Sequence, residues 1–231
     1  MKNKTVIVTG ASGNMGQAVI KKFLAKGYSV VATIIPNDPA AFDLEDKNLE
    51  KMLVDLMNEE DAQKFTQSVI EKYERIDVLV LTVGGFAMGK IGDTTTADIY
   101  KQYKLNFETA YNVARPAFVQ MMQQGSGRIF LIGSRPGLNA REGKGMVAYS
   151  LAKSLIFRLA ELMNEEAKGQ NVVTAVIVPS TIDTPQNRKS MPDAVVDNWV
   201  KPAAIADTIY FYCTNEADSI REPVIKIYNK A

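Results

Sequence analysis

The sequence predicts an α/β protein with a doubly wound parallel sheet of about seven strands and helices on both faces. Short β-branched runs alternate with longer stretches of helical period along the chain. A glycine-rich turn joins the first such run to the first helical stretch. The length of 231 residues, 46% of them hydrophobic, fits one core, so we expect a single domain over residues 1–231.

In the first half of the chain, predicted strands lead into predicted helices. The first strand is Thr5 to Val8, and the next helix, Met15 to Lys26, is expected to end at Gly27. The other segments predicted here are strands at Ser29 to Ile34, Met52 to Val54 and Val78 to Leu81, and a helix at Asn58 to Lys72.

In the second half, Val172 to Val178 is apolar nearly throughout, which is typical of a central parallel strand. Residues 179–202 contain four prolines and little periodicity, so we expect a substrate lid there. The remaining predicted segments are helices at Thr96 to Gln123, Tyr149 to Lys168 and Ala203 to Thr214, and strands at Arg128 to Ile132 and Val224 to Tyr228.

Composition excludes several kinds of chemistry. With no histidine and one cysteine, the chain has no Ser-His-Asp triad, Cys-His dyad, His/Cys zinc site or disulfide framework, and we expect no metal. The net charge of +1 argues against nucleic acid and favours a small-molecule partner. No apolar run approaches the roughly 18 residues of a membrane span, and the first strand is too short for a signal-peptide core. With Cys213 alone, we expect a cytoplasmic location.

The first turn predicts a phosphate site. It reads Thr9-Gly10-Ala11-Ser12-Gly13-Asn14-Met15-Gly16, between a strand and a helix. Glycine permits close backbone approach, and the helix offers free N–H groups to a pyrophosphate. The spacing is G-x-x-G-x-x-G rather than the usual G-x-G-x-x-G, and a plain strand-to-helix turn is the alternative.

Two further features indicate acid–base chemistry. Tyr149 and Lys153 share one helix face, where a cation favours phenolate. A second such pair, Tyr100 and Lys104, lies inside a long helix, and we expect it to face solvent. Ser134 follows a strand and could hydrogen-bond a carbonyl oxygen; a turn or helix cap is the alternative.

The order of these candidate residues resembles that of the short-chain dehydrogenase/reductase family, and the resemblance covers nearly the whole chain. The residues, in order, are the glycine turn, Asp55, Asn106, Ser134, and Tyr149 with Lys153. The resemblance implies a Rossmann-type domain, an NAD(P)H cofactor and hydride transfer to or from a carbonyl-like carbon. Tyr149 would be the proton donor, and Lys153 would lower its pKa and bind the ribose. Ser134 would polarise the substrate, and Asn106 would hold a water in the proton relay.

The same resemblance implies a cofactor-binding set: Gly10, Ser12, Gly13, Asn14, Met15, Asp55, Leu56, Gly84, Tyr149, Lys153, Ile182 and Thr184. Two segments depart from the family pattern, which has Asn-Asn-Ala-Gly where this chain has Leu81-Thr82-Val83-Gly84, and often Pro-Gly where it has Pro179-Ser180. The choice between NAD and NADP stays open, because Ile34-Ile35-Pro36-Asn37 carries neither an acid nor an arginine and Asp38 comes late.

Within that family, three segments resemble the dihydropteridine reductases: Thr181 to Ala194 with Trp199 beyond, the glycine spacing, and Gly84-Gly85-Phe86. This resemblance implies reduction of a quinonoid dihydropteridine, a flat ring lying against Phe86 and covered by the lid. Substrate contacts would come from Phe86, Ser134, Tyr149 and Met191. Ser134 departs from the subfamily pattern, which indicates a broader or different substrate.

Two alternatives stay open: a short-chain reductase of another small carbonyl compound, and a non-catalytic dinucleotide-binding regulatory protein. The resemblance also implies a homodimer or homotetramer, in which the helices Thr96 to Gln123 and Tyr149 to Lys168 pair across a two-fold axis. Apolar residues recur at helical spacing on the first of these helices and could face the sheet or a partner subunit: Ala110, Val113, Ala114, Ala117, Phe118 and Met121.

Overall fold

The structure is a computed structural model that describes residues 4–36, 38 and 42–230. Its sheet is parallel, in the order β3-β2-β1-β4-β5-β6-β7. The strands are β1 (Thr5–Thr9), β2 (Ser29–Ile34), β3 (Leu49–Leu53), β4 (Val78–Leu81), β5 (Ser126–Ile132), β6 (Asn171–Pro179) and β7 (Val224–Ile227). The predicted fold class is confirmed.

Helices cover both faces of the sheet. One apolar core joins α1 and α8 to the sheet, and a second joins α2, α4 and α6 to the opposite face. The helices are α1 (Asn14–Ala25), α2 (Glu59–Tyr73), α3 (Thr96–Tyr103), α4 (Thr109–Gln124), α5 (Arg135–Leu138), α6 (Val147–Glu166), α7 (Pro185–Ser190) and α8 (Pro202–Phe211). Within the described residues, no helix combines the length and apolar character needed to cross a bilayer.

The strand order reverses between β1 and β4. In open α/β sheets, ligands bind at such a point, beyond the carboxyl ends of the strands. The glycine turn follows β1, the segment from Thr82 to Phe86 follows β4, and Ser134 follows β5. The topology therefore brings these segments to one edge of the sheet.

Some element boundaries differ from those predicted. Strand β3 begins at Leu49, three residues early, because an edge strand with half-exposed side chains shows weak periodicity. Helix α6 begins at Val147, after Gly145 in a left-handed conformation, so Tyr149 lies within its first turn. Pro202 begins α8, a favoured position for proline, and that helix ends at Phe211 rather than Thr214.

The predicted helix from Thr96 to Gln123 is helical throughout but changes its hydrogen-bond spacing. A π-helical turn, Lys104–Glu108, separates α3 from α4, and the Thr109 N–H donates back to the Lys104 carbonyl. Such turns are rare and are often found at functional sites. Asn106 lies at the centre of this turn.

The predicted lid, residues 179–202, is ordered and fixed at its base. Ile182 pairs with Val200 in an isolated parallel bridge. Asn229 Nδ2 donates 3.0 Å hydrogen bonds to the carbonyls of Asp197 and Trp199. The part between these anchors contains α7 and a short 3₁₀ turn at Val196–Asn198.

Candidate active site

The glycine turn has the shape of a phosphate cradle. Gly10 has φ +67°, and a Cβ on Gly16 would lie 2.3 Å from the Gly10 carbonyl oxygen, so neither position tolerates a side chain without movement. Gly13 is the N-cap of α1 and provides no side-chain cap, and the first turn holds no acidic residue. The N–H groups of Asn14 and Met15, in the first turn of α1, are thus placed to bind an anion at the start of the helix. The turn fits the pyrophosphate of a dinucleotide.

Thr82, which departs from the family pattern, joins two strand ends. Its hydroxyl donates to the Thr9 carbonyl oxygen at 2.6 Å, and its N–H donates to Thr9 Oγ1 at 3.1 Å. These bonds fix the end of β4 against the end of β1 beside Gly10. The hydroxyl of Thr82 therefore holds the two strand ends together at the crevice between β1 and β4.

Asp38 reaches the glycine turn although the sequence places it well after β2. The Ser12 hydroxyl donates a hydrogen bond to the Asp38 carboxylate. A carboxylate at this position borders the pyrophosphate cradle. Asn37, part of the predicted specificity segment, lies outside the described residues.

The segment after β3 is held by a helix on the same face of the sheet. Leu56 is buried, and the Asp55 carboxylate accepts a hydrogen bond from the Met57 N–H at 2.9 Å. Asn112 Nδ2, buried in α4, donates to the Leu56 carbonyl oxygen at 3.0 Å. Asn112 is not among the predicted site residues. Its one signal in the sequence is an amide on an otherwise apolar helix face.

The side chains of Ser134 and Tyr149 lie close together. Burial raises the pKa of Tyr149, the Ser134 hydroxyl opposes that rise, and the expected lowering of this pKa by Lys153 is not seen. Ser134 Oγ also accepts the Gly137 N–H at 3.2 Å and so caps α5. The two interpretations of Ser134, cap and site residue, are therefore compatible.

Lys153 is a buried cation one helical turn after Tyr149. Its Nζ donates to the Ile132 carbonyl oxygen at 2.8 Å. Burial lowers the pKa of Lys153 to about 8 because the charged form loses its hydration. This ammonium is therefore held at the end of β5, on the side of the helix that carries Tyr149.

Asn106 holds the segment after β4. Its Oδ1 accepts the Gly85 N–H and its Nδ2 donates to the Gly85 carbonyl oxygen, both at 3.0 Å. A Cβ on Gly84 would lie 2.7 Å from Asn106 Oδ1 and 3.1 Å from Lys153 Nζ. Asn106, Gly84 and Lys153 thus lie together, and the buried Gln102, absent from the prediction, joins them through Asn106.

Phe86 lies at the mouth of this site. Its ring meets the Tyr149 ring edge-on, with centroids 5.3 Å apart, while 62% of the residue remains exposed. Met88 and Ile91, further along the same segment, are also exposed. This leaves an apolar surface beside the phenol.

The lid residues are fixed among themselves. Thr184 Oγ1 accepts the Asn187 N–H at 3.1 Å, and Asn187 Nδ2 donates to the Ile182 carbonyl oxygen at 2.9 Å. Met191 is exposed at the end of α7.

Outside the site, Tyr100 is 62% exposed, so the phenol of the second Tyr-Lys pair lies in solvent as expected.

Comparison with known proteins gives matches along the chain. Residues 4–194 match the sequence model described as short chain dehydrogenase. Dihydropteridine reductase of Dictyostelium discoideum is 26% identical over 219 residues, covering 92% of this chain and 89% of that protein. Acetoacetyl-CoA reductase of Acinetobacter is 26% identical over 241 residues, covering 95% and 96%. A solved structure described as ElxO with NADP bound superposes with a TM-score of 0.87 at 23% identity, covering 97% of each chain.

Proposed function

The chain belongs to the short-chain dehydrogenase family and is an NAD(P)-dependent oxidoreductase, and from this premise we propose that it reduces a quinonoid dihydropteridine. The main support for this substrate is the exposed ring of Phe86, which lies edge-on against the ring of Tyr149. A flat heterocycle lying on Phe86 would meet the Tyr149 hydroxyl. The relationship to the Dictyostelium dihydropteridine reductase supports the same substrate.

In this proposal, Tyr149 donates the proton. Burial raises the pKa of Tyr149, so the phenol keeps its proton at neutral pH until a substrate accepts it. Ser134, close to Tyr149, opposes the rise in the pKa of the phenol and can itself donate to a substrate oxygen. Lys153 supplies a buried positive charge on the same helix face, which favours the phenolate left after proton transfer.

The cofactor would lie along the crevice between β1 and β4. The cradle of Gly10, Ser12, Gly13, Asn14 and Met15 would hold its pyrophosphate. Asp55 and Leu56 would border the adenine, and Gly84, Lys153, Ile182 and Thr184 the nicotinamide end. When bound, the nicotinamide supplies the hydride.

We propose NADH as the preferred cofactor. The Asp38 carboxylate is hydrogen-bonded to Ser12 at the edge of the cradle. An acid near the adenosine ribose pairs with the 2′-hydroxyl of NAD and repels the 2′-phosphate of NADP. The contact between Asp38 and Ser12 thus favours the cofactor without the phosphate.

A stopped-flow assay tests this function. Freshly generated quinonoid dihydropteridine is mixed with NADH or NADPH, with and without enzyme, and cofactor oxidation is followed by absorbance. Turnover well above the enzyme-free rate supports the proposal, and the Phe86→Leu variant should raise KM for the pterin while the exposed-site control Ile91→Leu should not. Tight cofactor binding without pterin turnover would exclude the substrate.

A small carbonyl compound is the second candidate substrate. The neighbouring hydroxyls of Ser134 and Tyr149 form a pair suited to one carbonyl oxygen. The relationship to the Acinetobacter acetoacetyl-CoA reductase supports this class. A panel of ketones and 3-oxoacyl thioesters, assayed under the same conditions, separates it from the pterin. The acid–base residues of the site argue against a non-catalytic regulator. Cofactor binding without turnover of either the pterin or the carbonyl compounds would support that alternative.

We propose that the protein is a homodimer or homotetramer. A groove of about 500 Å³ lies between α4 and α6 on the outer surface, lined among others by Phe118, Val119 and Leu162. Val119 and Leu162 are more than half exposed, and such a face is suited to a second copy of the chain. Light scattering should give a multiple of the 25.4 kDa chain mass; a monomer mass would contradict the proposal.

We also place the chain in a reducing compartment, the cytoplasm, because its cysteine, Cys213, is a free thiol. Imaging of a fluorescent fusion in the source cells tests this location.

A further inference from the structure

Gln102 is a buried polar side chain in α3, 5% exposed. Its side-chain oxygen accepts a hydrogen bond from Asn106 Nδ2 at 2.9 Å. Its backbone carbonyl receives a longer bond from the same nitrogen, at 3.3 Å. A buried carboxamide is costly unless it is hydrogen-bonded, so this contact accounts for a glutamine on the inner face of the helix.

The carboxamide of Asn106 has one favourable orientation. In that orientation its oxygen faces the Gly85 N–H and its nitrogen faces the Gly85 carbonyl. A half-turn of the amide would oppose donor to donor and acceptor to acceptor. The side-chain oxygen of Gln102 can accept from the Asn106 nitrogen but not from its oxygen, so it adds to the preference for the observed orientation.

The orientation of Asn106 affects the space around Lys153. Gly84 separates the two side chains, since a Cβ there would lie 2.7 Å from Asn106 Oδ1 and 3.1 Å from Lys153 Nζ. Asn106 lies in the π-helical turn Lys104–Glu108, four residues after Gln102, and its nitrogen donates to both oxygens of Gln102. A displaced Asn106 amide would lose both hydrogen bonds to Gly85. The segment Gly84-Gly85 would then no longer be fixed beside the Lys153 ammonium.

We propose that Gln102 is a positioning residue, which fixes the Asn106 carboxamide so that Gly84 and Gly85 are held against Lys153. The proposal rests on the proposed role of the site in proton transfer. Gln102 acts through Asn106 and does not itself touch the reacting atoms. Its contribution is geometric and depends on an acceptor atom at the end of its side chain.

Two variants of similar length separate this role from simple packing. Gln102→Met keeps the length and removes the acceptor, whereas Gln102→Glu keeps both and, at a pH low enough to protonate its buried carboxyl, adds no charge. Loss of one neutral hydrogen bond corresponds to about a 3- to 10-fold change in equilibrium. We expect Gln102→Met to accelerate hydrogen exchange of the Gly85 amide and lower kcat by about that factor, with cofactor Kd unchanged. When all three proteins are compared at that low pH, Gln102→Glu should stay within about twofold of the native protein in both.

Gln124→Met is the matched control. Gln124 also pairs a carboxamide, here a half-buried one, with backbone groups of Ile76 and Ser126, but at the opposite end of α4. This variant should lower thermal stability and leave Gly85 exchange and kcat unchanged. Equal losses in Gln102→Met and Gln102→Glu, or unchanged Gly85 exchange in Gln102→Met, would overturn the proposal. Because the exchange measurement needs no substrate, it decides the role of Gln102 even if the proposed reaction fails.

Discussion

The Nζ of Lys153 and the carbonyl oxygen of Ile132 lie 2.8 Å apart, so a buried ammonium on α6 is hydrogen-bonded to the last residue of β5. Ser134 follows two residues later, close to Tyr149, which lies one turn before Lys153. The strand end and the helix are therefore joined through Lys153. This arrangement keeps phenol and ammonium in a fixed relation before any ligand is bound.

The buried ammonium should make stability depend on pH. The pKa of Lys153 is about 8 in the folded protein, below its ordinary value of 10.5. Between these values the unfolded chain binds a proton that the folded chain has lost, so the unfolding free energy increases with pH. Urea unfolding from pH 7 to 9.5 should show the native protein gaining stability relative to Lys153→Met above about pH 8. A constant difference between the two would contradict the lowered pKa.

Replacement of the phenol should abolish proton donation without affecting the cofactor site. Tyr149→Phe should lower kcat by about 10²- to 10⁴-fold, the usual contribution of a general acid. Cofactor Kd, measured by fluorescence, should change little because the ring is retained. Tyr100→Phe, at the exposed second Tyr-Lys pair, is the control and should keep native turnover. Substantial activity in Tyr149→Phe would remove this residue from the mechanism.

The carboxylate at Asp38 should determine the cofactor ratio. Asp38→Asn removes the charge beside Ser12 and should improve kcat/KM for NADPH relative to NADH by about fivefold, equivalent to about 1 kcal/mol. Asp43→Asn, at an exposed carboxylate nearby in sequence, should leave the ratio unchanged. If both variants keep the native ratio, Asp38 does not select the cofactor.

The cradle should not tolerate a methyl group at Gly16. A Cβ there would lie 2.3 Å from a backbone oxygen, so Gly16→Ala should lose about 1–3 kcal/mol of unfolding free energy and weaken cofactor binding. Gly92→Ala has open space around the added carbon and should stay within about 0.5 kcal/mol of the native protein. Chemical denaturation and cofactor titration of both proteins measure the effects. Similar behaviour of the two variants would show that the turn relaxes.

Local sequence signals predicted much of this protein. Periodicity placed the strands in order, because buried strands such as β6 are apolar along their whole length. The i, i+4 spacing of Tyr149 and Lys153 predicted a shared helix face, which local geometry alone determines. The start of β3 was predicted late, since edge strands carry polar side chains.

Contacts that depend on tertiary structure were not predictable in the same way. Thr82, Asn112 and Gln102 are hydrogen-bonded to groups from distant segments or from the next helical turn, and one sequence shows them as ordinary polar residues. Asp38 comes late after β2 in the sequence, yet its carboxylate accepts a hydrogen bond from Ser12. Spacing in sequence does not determine where a loop residue lies.

The π-helical turn at Lys104–Glu108 also sets the rotational phase of the helix on either side. Such a turn contains one residue more than an α-helical turn, so each of its residues advances less than the roughly 100° of an α-helix. The turn therefore accommodates one extra residue while α3 packs against α6 and α4 packs against α2 and β5. Deleting one residue here would restore a uniform α-helix and leave both packing faces in place, whereas a deletion inside α4 would rotate the rest of that helix by about 100°. A single-residue deletion should consequently be less disruptive in this turn than within α4.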